Sequence, residues 1–144
     1  MASPHHLFRL IAQVHRTRKA AVAGQAELLE KHELSPLDWA ILRSLHENPP
    51  QSQAGVARSV GRAPSNVRYP IEALYRRGII QREPDSDDRR VNLTFLSPRG
   101  ESLVKALLPA FQSVDQALLN GLSAGEQQEL ERLLQTILKN GREA

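Results

Sequence analysis

Two changes of apolar period divide this chain, and they constrain its fold more than any other feature. Up to Gly78 the apolar residues recur at helical spacing. Between Ile79 and Ser97 two short β-type runs appear, IIQREP and VNLTFLS, joined by the charged segment DSDDRR. From Pro98 onwards the helical spacing returns. The order is four helices, a hairpin, then two helices, a mostly α fold with one small β-hairpin.

Local signals place the helices. Residues 5–32 read as one long helix, with Leu7, Leu10, Ile11, Val14, Val22 and Leu29 on its apolar stripe. The second begins at LSPLDWAILRSL, where Ser35 caps, Pro36 suits the first position and Asp38 completes a capping box. Ser52 caps a short third helix that Gly61 ends, and Pro64 opens a fourth that Gly78 follows. Pro70 lies inside the fourth, where it removes a hydrogen bond and predicts a kink or a fresh start. Ser97–Pro98 starts a fifth helix running to about Leu119. Ser123 and Glu126 form the capping box of a sixth, ending near Gly141.

A length of 144 residues fits one domain. No apolar run is long enough to span a bilayer, and the opening MASPHHLFRL lacks the features of a signal peptide. The absence of cysteine excludes disulfides and thiolate metal sites and suits a cytoplasmic protein. The net charge of +3 is modest but unevenly spread. From Arg58 to Arg99 there are nine arginines and no lysine, against five acids. A basic middle between less basic ends predicts a polyanion contact confined to the middle.

A short helix, a tight turn, a second helix and a hairpin describe a winged helix-turn-helix. In that arrangement the second helix of the pair lies in the DNA major groove, and here the hairpin tip, as a wing, reaches the phosphates or the minor groove. Ser65, Asn66, Arg68 and Tyr69 then occupy the reading end of the recognition helix, with Arg68 suited to guanine, Asn66 to adenine and Ser65 to phosphate. Val67, Ile71 and Leu74 are core, and Tyr75 is core or a phosphate contact. At the wing tip Arg89 and Arg90 reach outward, and Asp88 orients the tip or a neighbouring arginine. The competing reading of DSDDRR is a hairpin tip kept charged for solubility.

At these residues the chain resembles the MarR family of bacterial transcriptional regulators. DDRRVNLTFLSPRG is similar to that family's wing signature: Asp88, Arg90, Leu96, Ser97 and Gly100 fill it, with Ser97 in place of the family's Thr and Thr94 in place of a Leu. LSPLDWAILRSL resembles the family's second helix, and IEALYRRGIIQREP its recognition-helix end and first wing strand. The resemblance spans essentially all of residues 1–144. It implies a homodimer built from helices at 5–32 and 98–141 around a DNA-binding region at 35–97. It also implies a regulator of the repressor type on a palindromic operator in double-stranded DNA, released by a small aromatic or phenolic carboxylate effector. The long amphipathic end helices agree with a dimer, since they carry more apolar surface than a small winged domain can cover. A closed monomeric bundle is the alternative.

For the effector, the residues to inspect are His15, Arg18, Trp39 and Arg43. Arg18 falls on the apolar stripe of the first helix with His15 three residues before it, and Trp39 and Arg43 are neighbours on the second. Apolar walls with a few polar anchors suit a planar carboxylate. Alternatively, Arg18 pairs with an acid of a partner chain or snorkels to solvent, and Trp39 is core against the hairpin. No enzyme constellation, cofactor motif or metal set is expected. The reading from another class is a winged-helix protein–protein interaction module without DNA binding, marked by Pro70.

Overall fold

A computed structural model describes residues 3–143. The elements run α1 (Pro4–Val22), a 3-10 turn (Ala23–Gln25), α2 (Ala26–Lys31), α3 (Pro36–Glu47), β1 (Gln51–Ser52), α4 (Gln53–Val60), α5 (Pro64–Arg76), β2 (Ile80–Pro84), β3 (Asn92–Leu96), α6 (Pro98–Leu118) and α7 (Ala124–Glu143). The fold is mostly helical with one small antiparallel sheet, as the periodicity requires.

The capping chemistry is where the sequence places it. Ser35 Oγ accepts the Asp38 N–H at 3.0 Å, and the Asp38 carboxylate accepts the Ser35 N–H at 2.8 Å. Ser52 Oγ accepts the Gly55 N–H at 3.1 Å. Gly61 ends α4 in the left-handed conformation, φ 65°, which glycine adopts without a Cβ penalty. Ser123 and Glu126 close the box at the start of α7, with distances of 2.7 and 3.2 Å.

Two expectations need correction. The first helix does not run unbroken over 5–32: α1 ends at Val22, and a 3-10 turn precedes α2. Gly24 sits in that turn, and an interior glycine weakens a helix by about 1 kcal/mol relative to alanine. The change of winding lets α2 turn Leu29 into the core at 4% exposure, whereas α1 buries no residue among those described. The sheet also has a third strand. β1 pairs with β3 (Gln51↔Thr94, Ser52↔Leu93), giving the order β1-β3-β2. Two residues carry no period to read.

The core gathers under the sheet. Ile41, Leu42 and Leu45 of α3 meet Val56 of α4, Val67 and Leu74 of α5, Ile80 of β2 and Val104 and Leu107 of α6, all enclosed. The hairpin register sets Ile80 opposite Leu96 and Arg82 opposite Thr94, so Ile80, Thr94 and Leu96 face inward while the intervening residues are more open. A second tie between α3 and α6 is polar: His46 Nδ1 lies 3.0 Å from Glu101 Oε2.

The passage from wing to α6 is tightly built. Ser97 donates its hydroxyl towards the Gly78 and Ile79 carbonyls, 2.7 and 3.0 Å away, and accepts the Gly100 N–H at 3.0 Å. Gly100 packs directly on the Ile79 carbonyl, leaving no room for a Cβ. This accounts physically for a hydroxyl residue followed three positions later by glycine.

The ends of the chain are different. Among the described residues neither α1 nor α7 has a buried side chain. Phe8 and Val14 of α1 are 56% and 67% exposed, and Leu133 and Leu138 of α7 are 45% and 55% exposed. None of the described helices is long and apolar enough to cross a membrane.

Gly100→Ala is expected to lower the unfolding free energy by ~2–3 kcal/mol through overpacking. The check is a lower urea midpoint with an unchanged slope, beside Ser102→Ala, an exposed position on the same helix. A midpoint equal to the parent's would contradict the close approach at Ile79.

Candidate functional site

α4 and α5 meet through the turn that Gly61 opens, and Gln53 Nε2 donates to the Pro64 carbonyl at 3.2 Å, fixing where α5 begins. Val67, Ile71 and Leu74 are buried against the core at 0%, 2% and 1% exposure, which leaves the opposite edge outside. Ser65, Asn66, Arg68 and Tyr69 are all exposed there, Tyr69 at 82%. Pro70 does not restart the helix, because α5 is continuous from Pro64 to Arg76. The N–H that proline lacks would have served the carbonyl of Asn66. Asn66 is exposed, so water can satisfy that carbonyl and the cost stays small.

Between α5 and the wing lies a cleft of about 480 Å³, bordered by Ser65, Arg68, Tyr69, Glu72, Arg82 and Asn92 among others. Glu72 organises its floor. Arg82 of β2 reaches it at 2.9 Å and Arg76, one turn along α5, at 3.1 Å. The hydrogen bond from Arg82, helped by Arg76, holds the Glu72 carboxyl below the ordinary carboxylate range. The Arg82 guanidinium also sits 4.5 Å over the Tyr75 ring. This cluster ties the recognition helix to the wing. The Glu72–Arg76 half was legible as an i,i+4 pair; Arg82 carried no signal, since it arrives from another element.

The nine arginines therefore divide. Arg77 donates to the His32 and Glu33 carbonyls at 2.9 and 2.7 Å, and Arg99 to the Arg77 carbonyl at 2.8 Å. With Arg76 and Arg82 these brace the protein itself. Arg58, Arg62, Arg68 and Arg89 are exposed and take no part in those contacts.

At the wing tip the aspartates have distinct work. Asp85 accepts the Asp87 N–H at 3.0 Å and shapes the turn. Asp88 receives the Arg90 backbone N–H at 3.1 Å and its guanidinium at 3.0 and 3.1 Å. The bonds with Arg90 draw the Asp88 carboxyl down and hold Arg90 charged. Such an exposed pair adds little stability. It fixes direction instead: the Arg90 side chain is 90% exposed, whereas that of Asp88 is 43% exposed.

A separate pocket of about 280 Å³ opens where α1, α2, α3 and α6 converge, with Arg18, Val22, Leu29, Trp39, Arg43 and Phe111 on its walls. Arg18, Trp39 and Arg43 are thus brought together, while His15 is exposed on α1 and is not part of the lining. Trp39 is part of the core, and its ring stacks on Phe111 of α6, centroids 4.6 Å apart at 25°. Arg18 pairs within its own chain, its Nε and Nη2 donating to the two Asp115 oxygens at 2.7 and 3.0 Å. That hydrogen bonding, outweighing partial burial, raises the Arg18 pKa above its usual value. Arg43 reaches Glu47 at 3.0 Å. Trp39 Nε1 and Arg43 Nε are buried and hydrogen-bonded to no other protein group. Phe111 and Asp115 were missed in the sequence, where nothing marks a partner so far along the chain. Among the described residues no cluster of three or more His, Asp or Glu could hold a metal ion.

Comparison with known proteins bears on the whole arrangement. A family model described as the MarR family matches residues 34–91. A probable transcriptional regulator from Pseudomonas aeruginosa is 31% identical, with 89% of this chain and 93% of that one covered and a TM-score of 0.65. A MarR-family transcriptional regulator from Silicibacter pomeroyi is 18% identical and shares the fold at a TM-score of 0.80, covering 91% and 86%. Bordetella bronchiseptica BpsR, whose DNA binding is regulated by 6-hydroxynicotinic acid, shares the fold at a TM-score of 0.70 and 23% identity, covering 91% and 97%.

Phe111→Ala should cost about 3–5 kcal/mol and shift the emission of Trp39, the single tryptophan, to longer wavelength as its ring gains water. An unshifted spectrum in a folded variant would place Trp39 away from Phe111.

Proposed function

The chain belongs to the MarR family, and from that premise we propose that it is a sequence-specific DNA-binding regulator, a repressor that binds a palindromic operator as a homodimer and leaves it when a small aromatic acid binds. One observation carries the DNA reading. The exposed edge of α5 and the outward-held Arg90 stand on a single braced unit, joined through Glu72 and Arg82. Arg68 then serves guanine and Asn66 adenine in the major groove, while Ser65 and Tyr69 meet the backbone. Arg89 and Arg90 follow the phosphates or enter the minor groove, with Asp88 as the orienting group. The continuity of α5 through Pro70 favours this reading over a protein-docking module.

The homodimer rests on α1 and α7. Their open apolar residues exceed what a solitary soluble chain normally leaves in water, and a two-fold axis would set two recognition helices about one DNA turn apart. Residues 5–32 and 98–141 supply the dimerising arms and 35–97 the DNA-binding region. For the effector, the pocket of about 280 Å³ lies just below the ~300–1,000 Å³ typical of ligand sites, a size that suits a single aromatic ring. Its arginines suit a carboxylate, and Trp39 and Phe111 suit the ring face.

Selection from a genomic library at low salt should yield a palindrome of roughly 16–20 bp with half-sites about a turn apart. Arg90→Ala should weaken binding to it and lower the salt slope by about 1 for each phosphate that is no longer neutralised. Arg68→Ala should relax one base position per half-site by ~1–3 kcal/mol. Failure to select any site would count against DNA binding altogether.

Assembly has its own test. The full chain should scatter light as a dimer at micromolar concentration, and Leu133→Glu with Leu138→Glu should shift it to a monomer or to aggregates. A parent chain that is monomeric would contradict the dimer.

A further inference from the structure

The ion pair that occupies Arg18 bears on how the pocket is regulated. Arg18 is, with Lys19, a charged residue that α1 contributes to the pocket wall, and in the free protein both its Nε and its Nη2 are engaged by Asp115 of α6. The two side chains are only partly shielded, at 40% and 32% exposure, so the pair can open to solvent without stranding a buried charge. The pocket has a second unmet demand: Trp39 Nε1 and Arg43 Nε are buried donors with no protein acceptor, and such groups are costly to leave unmade. A planar carboxylate brings acceptor oxygens for both needs; Asp115 holds the Nε/Nη2 edge of the Arg18 guanidinium and offsets its charge, so a carboxylate that takes that edge must displace it.

We infer that Asp115 is an internal competitor for the effector's carboxylate. It rests on Arg18 when the pocket is free, and a bound aromatic acid replaces it. This deepens the effector reading above and depends on it. Two consequences follow. Asp115 sets the concentration at which an acid is sensed, because each binding event must first displace it. Binding also exchanges an intramolecular tie between α1 and α6 for a contact to the ligand, so the acid alters how the dimerising arms are held together. Lys19 and Arg43 add positive charge at the pocket and Glu47 subtracts some, but neither Lys19 nor Glu47 stands in the bidentate position.

The test titrates benzoate, with neutral benzamide as its isostere, at constant ionic strength against the full chain, reading the fluorescence of Trp39. Asp115→Asn keeps the size of the side chain and removes its charge; Asp115→Ser is the second variant should the first fold poorly. Benzoate should bind Asp115→Asn about tenfold more tightly than the parent, ~1.4 kcal/mol, while benzamide changes little. In an Arg18→Ala background the gain from Asp115→Asn should vanish, because the competition is for that guanidinium. Equal benzoate affinity in parent and Asp115→Asn overturns the competitor role while leaving the pocket in place. A gain that persists without Arg18 reduces Asp115 to a general repulsive charge and overturns it as well. If benzoate binds no variant, the effector reading fails and takes the inference with it.

Discussion

Gly100 lies so close to the Ile79 carbonyl that a Cβ has no room, and this contact sets how the wing joins α6. Four segments meet there. α5 ends at Arg76, β2 begins at Ile80, β3 ends at Leu96 and α6 begins at Pro98. Ser97 and Gly100 close the junction by satisfying backbone groups that would otherwise be buried without partners. Arg99 and Arg77 extend the knot outward, Arg99 on the Arg77 carbonyl and Arg77 on the end of α2. Because α6 can leave the sheet in only one direction, its far half lies beside α1 and presents Phe111 to Trp39 and Asp115 to Arg18. The pocket and the wing are thus placed by the same junction.

That arrangement divides labour among the arginines in a way that composition alone conceals. A middle segment rich in arginine reads as one basic surface. In the folded chain Arg77, Arg82 and Arg99 hold elements together and Arg76 pairs within α5, while Arg58, Arg62, Arg68, Arg89 and Arg90 are exposed. The aspartates at the hairpin tip follow the same logic. Asp85 shapes the turn and Asp88 aims Arg90, so the acids do not cancel the arginines but position one of them. Screening in salt makes such pairs poor sources of stability, which is consistent with their placement where geometry matters more.

What the sequence disclosed follows from how far apart the interacting residues lie. Caps at Ser35, Ser52, Ser97 and Ser123, the glycine stop at Gly61 and the hairpin were legible because each is decided within a few residues. The buried face of α5 was legible from its period. The break at Gly24 was not, since a glycine is tolerated in many helices and only tertiary packing of Leu29 decides whether the winding changes. β1 was too short to show a period. At the pocket, Arg18 stood out as a charge on an apolar stripe, and Trp39 and Arg43 as neighbours. His15 followed from proximity along the helix, yet it faces solvent. Asp115 and Phe111, contributed by α6, had no local mark. Pro70 invited a fresh helix start that the structure does not take, because α5 runs on through it and the carbonyl left without its donor lies on the exposed edge.

On the proposed function, two copies of this winged unit read DNA about one helical turn apart. Footprinting of the selected operator with dimethyl sulfate, which reads guanine N7 in the major groove, and with hydroxyl radicals, which read the backbone and minor groove, tests this. The expected result is two equivalent major-groove footprints related by a two-fold axis and separated by ~34–36 Å along the duplex, each flanked by a minor-groove protection that disappears with Arg90→Ala. A single footprint, or a pair whose flanks are indifferent to Arg90, would contradict it.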